Sequence, residues 1–141
     1  MNRILLVLIP LIFFGTALSA QQTKQPDIVG NWKVTDLQVL VEVPDEQAEA
    51  MATVSQAFRK AIFKFGDDHS FTLDFEFEEM NIKDAHWRYN PENQSFIIQP
   101  WEHKDTDQYM LMDVMYRQKG EQVLFLMEEL PFVLLVSREK P

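Results

Sequence analysis

The feature that most constrains this fold is a run of alternating residues over positions 71–78. Phe71, Leu73, Phe75 and Phe77 occupy every second position, and the polar residues between them are mostly carboxylates. Because successive side chains on a strand point to opposite faces, this pattern predicts a half-buried strand. Its inner face would be aromatic and its outer face acidic, which favours a β-sheet packed on a core.

Seven further segments have the same period of two and are bounded by turn residues. They cover residues 28–43, 62–65, 85–89, 95–99, 108–117, 122–128 and 132–138. Short connections favour antiparallel neighbours, and closing the sheet removes its exposed edges. We therefore expect an all-β fold, an eight-stranded antiparallel up-and-down barrel. An open sheet or a two-sheet sandwich is the alternative.

The first of these segments, 28–43, contains a change of phase. Trp32 and Val34 set one alternation, whereas Leu37 and the valines that follow it set the other. A shift of one residue turns every later side chain to the opposite face of the sheet. We therefore expect a bulge or a sharp bend near residues 35–36.

One segment has helical periodicity instead. Pro44 ends the first strand, Asp45 is a suitable N-cap, and apolar residues then recur at three- and four-residue spacing. This predicts one amphipathic helix of about 16 residues after the first strand. The helix would lie against the barrel or close one of its ends. Through Met51, Val54 and Phe58 it would also cover the outer faces of the last two strands.

Residues 1–20 have the composition of a secretory signal peptide, with a basic start, an apolar stretch and small residues before Ala20. The apolar stretch is too short to span a bilayer, so we expect no stable membrane anchor after cleavage; a retained anchor is the alternative. Residues 21–27 would form a polar tether and residues 28–141 one barrel domain. These features predict export to the periplasm or to the outside of the cell.

The charge and the lack of cysteine narrow the class further. No cysteine is present, so no disulfide holds the domain together, and a bacterial exported protein fits this better than a eukaryotic one. The formal net charge is −9 at pH 7. Phosphate backbones and anionic bilayers would repel such a chain, so neither nucleic acid nor an anionic membrane surface is expected as a partner.

Gly30 and Trp32 open the first strand, and Arg138 ends the last one. This arrangement resembles the lipocalin family, in which a Gly-x-Trp motif opens the first strand and a late arginine covers the tryptophan ring. The pattern is most similar to small bacterial lipocalin-like domains, which have calycin-type barrels. The resemblance implies that Gly30, Trp32 and Arg138 together close one end of the barrel.

The inward-facing side chains form the candidate ligand site. An eight-stranded barrel is wide enough either for packed side chains or for one small ligand. The residues expected to face inward are Phe71, Leu73, Phe75, Phe77, Trp87, Tyr89, Phe96, Ile98, Met110, Met112 and Tyr116. We expect a small hydrophobic molecule there, with Tyr89 and Tyr116 as polar contacts. The alternative is a filled barrel that acts through its surface on a protein partner or in a homodimer.

The sequence predicts no enzyme, no cofactor and no metal site. It contains no cysteine nucleophile, no Gly-x-Ser-x-Gly elbow and no glycine-rich phosphate loop. Met110, Met112 and Met115 would suit Cu(I), but Met115 faces away from the other two. The histidines are widely spaced, and no pair has the spacing of metal ligands on one element.

Overall fold

The computed structural model describes residues 24–76, 81–127 and 130–140. Within these ranges eight strands form a closed barrel, in which each strand pairs with its sequence neighbours and the first pairs with the last. The strands are β1 Gly30–Val39, β2 Ile62–Phe65, β3 Ser70–Asp74, β4 Ile82–Asn90, β5 Ser95–Pro100, β6 Met112–Lys119, β7 Gln122–Leu126 and β8 Phe132–Arg138. All pairings are antiparallel, so the predicted up-and-down barrel is confirmed. The predicted signal peptide, the first residues of the tether and Phe77 lie outside the described residues.

The predicted bulge in β1 is confirmed. The register between β1 and β8 shifts between Val34 and Asp36, so that Trp32, Val34 and Leu37 are all buried. The Asp36 carboxylate accepts hydrogen bonds from the Leu37 amide at 2.8 Å and from Arg59 at 3.1 Å. These bonds also lower the pKa of Asp36. The bulge thereby lets Leu37 face the core together with Trp32 and Val34, whereas Val39 and Val41, expected in the same phase as Leu37, are exposed.

β3 ends at Asp74 and β7 at Leu126, earlier than predicted, and β1 and β6 are also shorter than predicted. β1 ends at Val39, which pairs with the first residue of β8, and not at position 43. β6 begins at Met112 and not at position 108, because Tyr109 has a left-handed backbone (φ 61°) that interrupts an extended chain. The end of β1 depends on where its partner β8 begins, and the start of β6 depends on the backbone turn at Tyr109.

The helix, α1, covers Ala48–Arg59 and follows a short 3-10 turn at Asp45–Gln47. It is shorter than predicted, and Asp45 does not cap it, because the 3-10 turn carries the chain into the helix without a side-chain cap. The ring of Phe58 lies 4.6 Å from that of Phe75 and 5.1 Å from that of Phe132.

Phe75 and Phe132 lie where β3 ends and β8 begins, so α1 closes this end of the barrel. We call it the helix end. The main strand contact of α1 is with β1, which corrects the expectation that the helix covers the outer faces of β7 and β8. The opposite end, where β1 begins and β8 ends, is the tryptophan end.

Candidate functional site

The interior of the barrel is filled by aromatic rings that meet across it. Phe63 on β2 lies 5.4 Å from Phe125 on β7, and Phe65 on β2 lies 5.6 Å from Phe96 on β5. These strands are not neighbours in the sheet, so both contacts cross the lumen. The rings meet edge to face, at the distances found in packed protein cores. The lumen is therefore occupied by side chains at this level.

Most of the residues expected to face inward do lie in this core. Those that are buried are Phe71, Leu73, Phe75, Trp87, Phe96 and Ile98. Tyr89, Met112 and Tyr116 are partly buried and pack against them. The prediction that Met110 faces inward is wrong. Its side chain is 51% exposed, and it lies before β6 because the left-handed turn at Tyr109 precedes the strand.

Sequence reasoning missed three rings at the centre of the core, Phe63, Phe65 and Phe125. Phe63 and Phe65 flank Lys64, so the period of two in this short segment could have identified them. Phe125 lies in a segment that is apolar on both faces. No alternation in that segment distinguishes the inner face from the outer one.

At the tryptophan end, Arg138 lies over the ring of Trp32, with its guanidinium carbon 4.6 Å from the ring centroid. The indole N–H donates to the carbonyl of Ile28 at 2.8 Å. Arg138 also donates to the Asp27 carboxylate at 3.2 Å and to the carbonyl of the same residue. Gly30 lies beneath this arginine, and a Cβ there would lie 3.1 Å from Arg138 Cδ.

Beside this closure a groove of about 680 Å³ opens to solvent. It is lined by residues 24–27 on one side and by Tyr89, Gln94, Tyr116, Arg117 and Gln118 on the other. The ring of Tyr116 lies 6.5 Å from that of Trp32, so it belongs to both the core and the groove. Burial raises the pKa of the Tyr116 phenol, which keeps it protonated and able to donate a hydrogen bond.

Arg117 is the fixed cation of this groove. Its Nη1 donates to the carbonyls of Tyr116 (2.7 Å) and Gln94 (3.2 Å), and its Nη2 donates to that of Asn93 (3.3 Å). Among the described residues, no carboxylate lies within 4.0 Å of this guanidinium. Neutral carbonyl groups therefore hold the guanidinium in place, and no described carboxylate neutralises its charge.

A second groove, of about 710 Å³, lies outside β3 and β4. Three of its lining residues are acidic, Asp68, Asp84 and Glu102, and Trp101 also lines it. Hydrogen bonds from Ser70 lower the pKa of Asp68. In the described part of the chain, no three His, Asp or Glu side chains are arranged to hold a metal ion.

Next to this groove, two histidines stack beside a buried tryptophan. The ring of His69 lies 4.2 Å from that of Trp87 and 5.7 Å from that of His86. Burial lowers the pKa of His86 below its usual 6.5, and the neighbouring His69 adds to the shift. Trp87 packs on Phe65 and Phe96 in the core, so its neighbour on β4, His86, lies on the outer face of that strand.

Exposed apolar side chains gather at the helix end. Of the large hydrophobic residues exposed within the described ranges, only Val29 lies at the tryptophan end. The others lie at the end of β1, directly after it, or between β5 and β6, and we call them the apolar rim: Val39, Leu40, Val41, Trp101, Tyr109, Met110 and Leu111. β1 and β5 stand on opposite sides of the barrel, so the rim has two parts with the helix end between them.

The connection from β1 to α1 and the first turn of α1 are also acidic. Glu42, Asp45, Glu46 and Glu49 are exposed, and none has a basic partner within 4.0 Å in the ranges that the structure describes. The part of the apolar rim at the end of β1 is therefore bordered by carboxylates without a basic partner among the described residues.

Comparison with protein families, characterised proteins and solved structures finds no match for this chain. The closed eight-stranded barrel is compatible with a calycin-like fold. Within the described ranges, no helix has the length and apolar character needed to cross a membrane.

Proposed function

We propose that this chain is an exported, lipocalin-like domain that binds a protein partner through the apolar rim at its helix end. The observation that carries the proposal is the concentration of exposed apolar side chains there, with Leu40 at 60% and Tyr109 at 61% exposure. Large exposed apolar clusters with a polar border are typical of protein interaction sites. No catalytic role is part of the proposal.

The packing of the lumen supports a surface function over a ligand held inside. A ligand between Phe63 and Phe125, whose centroids are 5.4 Å apart, would have to separate rings that already touch. Repacking a dense core in this way costs free energy that a small apolar ligand must first recover. A filled barrel with an active surface therefore fits these contacts better.

The charge around the rim indicates the chemistry of the partner. The carboxylates of Glu42, Asp45, Glu46 and Glu49 favour a protein surface with an apolar centre and a border of lysine or arginine. A second copy of this chain, with a net charge of −9, would place like charges against this border. The same acidity disfavours an anionic bilayer, although tryptophan and tyrosine suit membrane interfaces.

The backbone conformation of Tyr109 is further evidence that this surface binds a partner. A left-handed conformation is uncommon for tyrosine and costs about 1 kcal/mol or more. The ring is nevertheless 61% exposed, and within the described ranges it stacks only on the partly buried His103, at 4.2 Å. Strain that holds an aromatic ring toward solvent is typical of a binding surface.

Photo-crosslinking in the native cells tests the proposal. A photoreactive phenylalanine replaces Leu40 in the apolar rim or, as the matched control, Val29, the exposed apolar residue of the opposite end. We expect a discrete adduct with another protein from position 40 and none from position 29. The paired change Leu40→Ser and Val41→Ser should prevent competition by the unlabelled protein, whereas Val29→Ser should not.

Because the proposed border is electrostatic, the adduct should also decrease as the ionic strength rises. Equal adducts from both positions would contradict the proposal. So would an adduct that contains only a second copy of this chain, or one formed only with lipid.

A further inference from the structure

We propose that the groove at the tryptophan end binds a small organic carboxylate, with Arg117 as its anchor. The site lies at the opposite end of the barrel from the apolar rim, so it is independent of the proposed protein interface. Its walls combine a fixed cation with tyrosine rings, and each part recognises a different part of such a ligand.

The hydrogen bonds of Arg117 leave two of its N–H donors available. A guanidinium has five N–H donors, and three of them go to the carbonyls of Asn93, Gln94 and Tyr116. The Nε–H and one Nη2–H have no acceptor among the described residues. Two N–H donors therefore remain for the two oxygens of a carboxylate.

The local charge favours an anion. Among the described residues that line the groove, only Asp27 carries a carboxylate, and Arg138 already pairs with it at 3.2 Å. Lys24 adds a second cation to the lining. The groove is therefore a positive site on a chain of net charge −9. An anion that the rest of the surface repels is attracted here.

The tyrosines define the body of the ligand. The ring of Tyr89 lies 5.2 Å from that of Phe96 in the core, and the ring of Tyr116 packs against Trp32, so neither ring moves freely. Their position provides a rigid, partly apolar wall beside the cation. The groove, at about 680 Å³, is within the size range of small-molecule sites. This wall favours an organic carboxylate over a simple inorganic anion.

The experiment titrates the mature protein with phenylacetate, octanoate, the uncharged phenylacetamide and inorganic phosphate. Binding is followed by calorimetry and by the NMR signals of the Arg117 Nε–H and the Trp32 indole N–H. We expect saturable binding of one or both carboxylates, with the Arg117 signal shifting along the same curve. Phenylacetamide should bind at least about tenfold more weakly than phenylacetate.

Variants locate the site. Arg117→Gln should weaken carboxylate binding at least about tenfold, and Tyr116→Phe should weaken it less, since it removes one hydrogen-bond donor. Lys119→Gln is the matched control, because Lys119 is an exposed cation of the same strand that does not line the groove. The affinity of the Lys119→Gln variant for the carboxylates should equal that of the unmodified protein. If Arg117→Gln fails to fold, the NMR titration of the unmodified protein tests the proposal, because it follows the Arg117 Nε–H directly.

Several results would overturn the proposal. These are an acid and an amide that bind equally, an Arg117 signal that does not move, or no saturation by either carboxylate below about 10 mM. Phosphate that binds as tightly as the carboxylates would overturn the assignment to an organic acid. None of these results bears on crosslinking at Leu40, so the two proposals fail separately.

Discussion

Gly30, Trp32 and Arg138 show how single residues fix one end of the barrel. Glycine adopts φ 137° here, a conformation that other residues avoid, and this lets the arginine stem pass close above the backbone. The guanidinium then covers Trp32 and pairs with Asp27. The three residue types could be identified in the sequence. The pairing of Arg138 with Asp27 could not, because the tether has no periodic pattern.

Gly30→Ala should destabilise the protein by about 2–3 kcal/mol, because the methyl group both strains the backbone and contacts Arg138 at 3.1 Å. Gly120→Ala is the matched control. Gly120 also has a positive φ, 64°, but has open space around it, so the cost should be about 1 kcal/mol. Urea unfolding measures both. Equal losses at the two positions would show that the contact with Arg138 does not matter.

Among the elements, α1 has a position that the sequence predicts and a first residue that depends on the fold. Its apolar spacing predicted a helix after β1, and the ring of Phe58 does reach the core. Its start could not be predicted, because Asp45 suits both an N-cap and the 3-10 turn that forms. The ends of β1 and β6 were missed for a similar reason. Pairing with another strand and the turn at Tyr109 set those ends, and neither is visible in local periodicity.

Phe58→Ala should cost about 3–5 kcal/mol, because the ring is buried between Phe75 and Phe132 and leaves a cavity at the helix end. Gln56→Ala, on the exposed side of the same helix, should change the free energy of unfolding by less than about 0.5 kcal/mol. Urea denaturation provides the comparison. A small loss at Phe58 would mean that α1 is not a structural part of the barrel.

At the scale of the whole molecule, alternation in the strands was enough to predict a closed antiparallel barrel and most of its inner face. It could not predict whether the lumen is filled. That depends on which rings meet across the barrel, as Phe63 and Phe125 do, and so on register and radius. The groove beside Arg117 was also beyond local patterns. It joins the tether, β4 and β6, which come together only when the barrel closes.

Aromatic side chains fill the lumen, and we propose that function lies on the surface. Aromatic NMR of the ¹³C-labelled protein tests it most directly, with and without the apolar probe N-phenyl-1-naphthylamine. We predict cross-peaks between the Phe63 and Phe125 rings, 5.4 Å apart, that persist unchanged in excess probe. Loss of these cross-peaks, with new ones from the probe to Phe65, Phe96 or Phe125, would contradict the account and establish a ligand inside the barrel.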